Sequence, residues 1–229
     1  MVDGGDDDGP RAKRRMLWVV GGVAVAMVAF IVYLMWPRTP EHVLVVGDSV
    51  TFMSWEALTD EFGPGTALEA VARPGFTSTD LLPLVAEAID SRADSGEKLD
   101  RAVFLVGYND VWNEELDDDR LAEMVELSAR YECAVWLTLP ARPGGSEPAI
   151  GTFNPDLADE WNERLADLVG EHRNLHLVDD WAEAIDGAPD PATYLEDDGI
   201  HPNGPGQDLL ARTMYEAVTN SCRFPEFSR

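Results

Sequence analysis

Residues 42–49, His42-Val43-Leu44-Val45-Val46-Gly47-Asp48-Ser49, decide how this chain is read. Four branched apolar residues in a row, closed by a glycine, form a short strand covered on both faces, as strands of parallel sheets are. Phe52, Trp55, Leu58 and Phe62 follow at helical spacing, so a helix starts where the strand stops. The pattern therefore delivers Gly47, Asp48 and Ser49 to the carboxyl end of a strand and the mouth of a helix.

The same alternation continues outward. Residues 67–72, 101–107, 133–139 and 174–178 read as four further strands. Between them lie helical stretches. One is capped by Ser78 or Asp80 and carries Leu81, Leu82, Val85 and Ile89 inward, one covers 111–131, and one opens at Pro155 with Leu157, Trp161, Leu165 and Leu168 inward. A last helix over about 206–220 buries Leu209, Leu210, Thr213, Met214 and Ala217. Short apolar strands alternating with amphipathic helices predict a three-layer α/β/α domain over 42–222, with a five-stranded, mostly parallel sheet. A flavodoxin-like strand order, 2-1-3-4-5, is expected, with the ligand crevice at the carboxyl ends of strands 1 and 3. Residues 223–229 form a short tail.

Those carboxyl ends gather reactive side chains. Strand 1 ends in Ser49, the loop after strand 2 holds Arg73-Pro74-Gly75, strand 3 runs into Gly107-Tyr108-Asn109-Asp110, and the approach to the last helix holds Asp198-Gly199-Ile200-His201-Pro202. A serine hydroxyl needs a base to become nucleophilic, and a neutral imidazole serves near pH 7. The imidazole needs an acceptor that fixes its tautomer. Asp198 and His201, three residues apart, can turn to one point. The N–H groups of Ser49 and Gly75 and the amide of Asn109 can together bind an oxyanion. Taken singly, each has a bland explanation: Gly75 a turn, Asn109 a helix cap, Asp198 a turn residue, His201 a surface histidine. Their joint occurrence at one rim is what points to chemistry.

In this order the four segments resemble the four sequence blocks of the SGNH subgroup of GDSL esterases/lipases, across residues 42–220. The resemblance implies that Ser49 is nucleophile, His201 general base and Asp198 its orienter. It implies an oxyanion hole from Ser49, Gly75 and Asn109, and no cofactor or metal. The first block reads Gly-Asp-Ser-Val where the family name has Gly-Asp-Ser-Leu, a change that touches packing and leaves the chemistry intact. The Gly-x-Ser-x-Gly elbow of α/β-hydrolases is absent, as are a P-loop and a His-Glu-x-x-His motif. His42, His172 and His176 fall away from the rim. Asp197 has the wrong spacing to His201.

The flanking sequence sets the context. The 21 uncharged residues 16–36 would span about 31 Å as a helix, close to the roughly 30 Å of bilayer hydrocarbon. Arg11, Lys13, Arg14 and Arg15 precede them and only Arg38 follows closely, so the positive-inside rule keeps 1–15 cytoplasmic and exports the domain after a linker over 37–41. A cleaved signal peptide would need a shorter apolar core and a small-residue cleavage site, which the stretch before Pro37 lacks. The formal net charge of −26 resides wholly after residue 36, as 13 basic against 39 acidic side chains. Such a body repels phosphate backbones, which excludes nucleic acid as a partner. For Cys133 and Cys222, a disulfide and an inert buried thiol fit equally well.

The expected function is serine-dependent hydrolysis of a carboxylic ester, on a cell-envelope glycan or a lipid, by an exported and membrane-anchored domain. Acyl transfer to a sugar hydroxyl would use the same residues. An idle module that binds envelope glycans would have no need of a base set against a serine. The 140–154 stretch, with Phe153, is expected to shape the substrate crevice.

Overall fold

The structure, a computed structural model, describes residues 41–142 and 153–222. The anchor expected over 16–36 and most of the 140–154 stretch lie outside the described residues. Among the described residues no helix is long and apolar enough to cross a membrane.

Five strands form one sheet: β1 (Glu41–Gly47), β2 (Thr66–Ala72), β3 (Arg101–Leu105), β4 (Cys133–Leu137) and β5 (Leu175–Val178). Their order is β2-β1-β3-β4-β5 and every pairing is parallel. The flavodoxin-like expectation therefore holds, without an antiparallel strand in the sheet. Val43, Leu44, Val45 and Val46 are fully covered at the centre, as are Ala102, Val103, Phe104 and Leu105 of β3. The edge strand β2 is less covered, with Ala67 and Ala70 exposed and Glu69 partly so, because helices cover only part of an edge. Phe104 stacks on Trp136 of β4 at 4.5 Å between ring centres.

The helices are α1 (Ser49–Met53), α2 (Trp55–Phe62), α3 (Ser78–Asp94), α4 (Tyr108–Trp112), α5 (Asp118–Ser128), α6 (Pro155–Gly170), α7 (Asp180–Asp186) and α8 (Gly204–Ser221). Caps account for most of their starts. Thr77 and Asp80 form a reciprocal capping box on α3, so the cap lies one residue before Ser78. Asn154 caps α6 just ahead of Pro155, and Asn203 caps α8.

Three local expectations are corrected. The helix after β1 is two helices, broken at Ser54, whose buried hydroxyl donates to the Val50 carbonyl at 2.9 Å. A hydroxyl competing for a helix carbonyl bends the chain there. Leu58 and Phe62 stay in the core, but Phe52 turns out to solvent. The single helix read over 111–131 is likewise two: Glu114 adopts φ 56°, and the Asp117 side chain restarts the helix by accepting the Arg120 N–H. Helix α7 was not anticipated, although Trp181 and Ile185, four apart and both buried, carried its signal.

Cys133, opening β4, and Cys222, ending α8, are joined in a disulfide with 5.6 Å between Cα atoms. It ties the last helix to the sheet at the amino-terminal ends of the strands, the end opposite Ser49.

Candidate active site

Ser49 is the first residue of α1, placed there by the fully buried Asp48, whose Oδ1 accepts the Val50 N–H at 3.0 Å. His201 arrives from the loop before α8. Its Nε2 lies 2.8 Å from Ser49 Oγ, and its Nδ1 lies 2.6 Å from Asp198 Oδ2. An ionised carboxylate can only accept, so Nδ1 carries the proton and Nε2 presents its lone pair to the serine hydroxyl. Asp198 is fixed in turn by the N–H groups of Ile200 and His201, both 2.9 Å from its Oδ1. Partial burial pushes the Asp198 carboxyl up, but the His201 side chain and those two N–H groups outweigh it and hold it below the usual carboxylate range.

The loop after β2 makes a tight turn in which Phe76 N–H donates to the Arg73 carbonyl at 3.3 Å. Gly75 has φ +79°, the left-handed conformation that the third position of such a turn requires. The turn is moored to β1, the strand that leads to Ser49, through Arg73 N–H and the Gly47 carbonyl at 3.1 Å. It is moored to α4 as well. Asn109 Nδ2 donates to the Phe76 carbonyl at 2.9 Å, and buried Asp110 accepts from Ser78 N–H at 2.9 Å and from Ser78 Oγ at 2.5 Å. Gly107, which leads into α4, has φ +121° and packs against Trp161; a Cβ there would come within 2.4 Å of the indole. One Asn109 N–H is thus spent on orientation.

The structure therefore brings Ser49, His201 and Asp198 into one hydrogen-bonded line, and ties the Gly75 turn and Asn109 to the same rim. The other histidines lie apart. His42 is buried at the foot of β1 against Glu69 and held low by burial, and His172 pairs with Glu126. Among the described residues no cluster of three or more potential ligands could hold a metal ion.

Sequence reasoning missed two buried carboxyls behind this line, Asp48 and Asp110; their place inside two of the motif blocks was the available signal. Burial pushes Asp110 up. Burial also raises Asp48 from an ordinary 3.8 to about 7, opposed by the Val50 N–H and aided by Asp110. Folded Asp48 thus holds its proton more tightly than the unfolded chain does. Its contribution is most favourable below 3.8, falls as pH rises from 3.8 to about 7, and leaves the full cost of a buried charge above that. Asp48→Asn keeps the acceptor for Val50 N–H and removes the titration. Thermal melts at pH 5 and pH 8 should show the wild type losing more stability than the variant; parallel losses would mean that Asp48 does not titrate in this window.

A serine, an imidazole and a carboxylate linked in this way are the constellation that serine hydrolases use. The chain belongs to the GDSL-like lipase/acylhydrolase family, whose model matches residues 45–209. Among solved structures it is similar to the lipase/acylhydrolase of Enterococcus faecalis, with TM-score 0.61 and 17% identity over 79% of this chain and 96% of that one. A GDSL-like lipase of Bacteroides thetaiotaomicron gives TM-score 0.61 and 17% identity over 80% and 89%. The C-terminal catalytic domain of Streptococcus pneumoniae peptidoglycan O-acetyltransferase A, as a methylsulfonyl adduct, gives 0.59 and 16% over 80% and 96%. At such identities the likeness is one of fold. No curated protein matches the chain.

Proposed function

We propose that the chain hydrolyses a carboxylic ester of a cell-envelope glycan or lipid, with Ser49 as nucleophile, His201 as general base and Asp198 as its orienter. The observation that carries the reading is the 2.8 Å and 2.6 Å pair of contacts that His201 makes to Ser49 and Asp198. Ser49 Oγ attacks the acyl carbon as Nε2 takes its proton, and the imidazolium is stabilised by Asp198. The tetrahedral oxygen, now negative, is received by the N–H groups of Ser49 and Gly75 and the second N–H of Asn109. Collapse breaks the ester C–O bond, and His201 returns the proton to the departing alcohol. Water, deprotonated by the same imidazole, then releases the acid and restores Ser49. The apolar run 16–36 and the basic cluster before it support an anchored domain working outside the cytoplasm. The likeness to a peptidoglycan O-acetyltransferase domain favours a second reading, in which a sugar hydroxyl replaces that water.

The test is active-site labelling of the full-length chain with phenylmethylsulfonyl fluoride, followed by peptide mass mapping. The sulfonyl group should sit on Ser49 and p-nitrophenyl acetate hydrolysis should stop with the same time course. Labelling of another residue, or none, would sink the assignment.

A further inference from the structure

Helices α1 and α4 leave the adjacent parallel strands β1 and β3 and repeat one burial pattern. Asp48 is buried, Ser49 partly exposed, Val50 and Thr51 buried, Phe52 and Met53 exposed; Tyr108 is buried, Asn109 partly exposed, Asp110 and Val111 buried, Trp112 and Asn113 exposed. Residues three apart on a helix share a face. The face that presents Ser49 therefore presents Phe52, and the face that presents Asn109 presents Trp112. Phe52 is 52% and Trp112 40% exposed, whereas Tyr215, another exposed aromatic, packs edge-on against Phe62 at 5.4 Å. Large apolar side chains left in water beside a reactive group mark a surface that something covers.

What covers it is indicated by the ground alongside. A groove of about 820 Å³ opens between the start of α3 and the segment after α4, lined by Thr77, Thr79, Asn113, Glu115, Asp119 and Arg164 among others. Thr77 lies two residues beyond Gly75, and Asn113 directly follows Trp112. Hydroxyl, amide and carboxylate groups beside an aromatic face suit a ligand that has both C–H faces and many hydroxyls, which is a pyranose ring. Thr77 and Asp117 are engaged in helix caps, but a hydrocarbon chain would leave Thr79, Asn113, Glu115 and Asp119 without partners. The lining carries five carboxylates and Arg164, whose guanidinium is already paired with Asp118 and Glu160, so it also selects against an anionic ligand.

We infer that Trp112 and Phe52 are specificity-determining residues that hold the sugar rings of an uncharged, O-acylated glycan, whose chain continues into the groove starting at Asn113. The inference rests on the ester-hydrolase reading above and names its substrate class.

The experiment uses the full-length chain and O-acetylated xylo- and cello-oligosaccharides, with vinyl acetate as the ester that lacks a ring. Trp112→Ala should raise KM for the oligosaccharides about tenfold or more, with kcat little changed. Vinyl acetate turnover should stay within about twofold, and Trp112→Phe should restore most of the loss. On a Ser49→Ala background, which leaves the ester intact, calorimetry should show the same weakening of oligosaccharide binding by Trp112→Ala. Phe52→Ala should act in the same direction. Undetectable oligosaccharide binding, or binding unchanged by Trp112→Ala, would overturn the inference. So would a loss confined to p-nitrophenyl octanoate relative to the acetate, which would make these side chains an acyl-chain wall. If no ester is turned over, the hydrolase reading fails by itself, while the calorimetric arm still decides the role of Trp112.

Discussion

Ser49→Ala is expected to lower kcat/KM for p-nitrophenyl acetate by roughly 10⁴- to 10⁶-fold while leaving the melting temperature of the full-length chain nearly unchanged. The size of the effect follows from the loss of the covalent route. Without Oγ, His201 has no hydroxyl to activate at 2.8 Å, and water must attack the ester directly, helped only by the oxyanion donors. The fold should be spared because Ser49 sits partly exposed at the start of a short helix that Asp48, not Ser49, caps. His201→Ala should fall to a similar level, since residues acting as one unit do not contribute additively. Turnover unchanged in Ser49→Ala would place the nucleophile elsewhere.

For Asn109→Ala the expected loss is about 10²- to 10³-fold in kcat, with KM changed far less, because a donor aimed at the transition-state oxygen acts mainly after the substrate is bound. Asn109 is tied to the Phe76 carbonyl at 2.9 Å, so its second N–H is held in place before substrate arrives. Asn109→Asp should be no better than Asn109→Ala, since it sets a negative charge against a developing oxyanion. Steady-state kinetics on a short ester separates the outcomes. A change in KM alone would make Asn109 a binding residue and remove it from the oxyanion hole.

Much of this was legible in the chain. The five strands and the rim followed from apolar runs and the residues ending them, since a strand buried on both faces must be apolar throughout and only its carboxyl end is free to carry polar groups. The strand order came from the common doubly-wound pattern. The four short blocks stood out because their chemistry tolerates few substitutes. Helix breaks were less legible. The Ser54 kink leaves the apolar spacing intact and depends on a hydrogen bond that no spacing rule exposes. The turn at Glu114, by contrast, had a signal that went unread, a polar stretch over 113–120 broken only by Leu116 and holding the cap Asp117. The pairing of Cys133 with Cys222 stayed open because the distance between two ends of a fold is set by packing.

By itself the sequence determined the layered parallel sheet and the identity of the polar residues at its carboxyl edge, because patterning and residue chemistry are local properties. Tertiary structure alone decided which of those residues meet. The 152-residue gap between Ser49 and His201 closes to a hydrogen bond, Asp110 reaches back to Ser78, and Phe52, three residues after Ser49, turns outward. Such contacts depend on how helices pack across the sheet, and the free energy of that packing is spread over the whole core and is carried by no single motif.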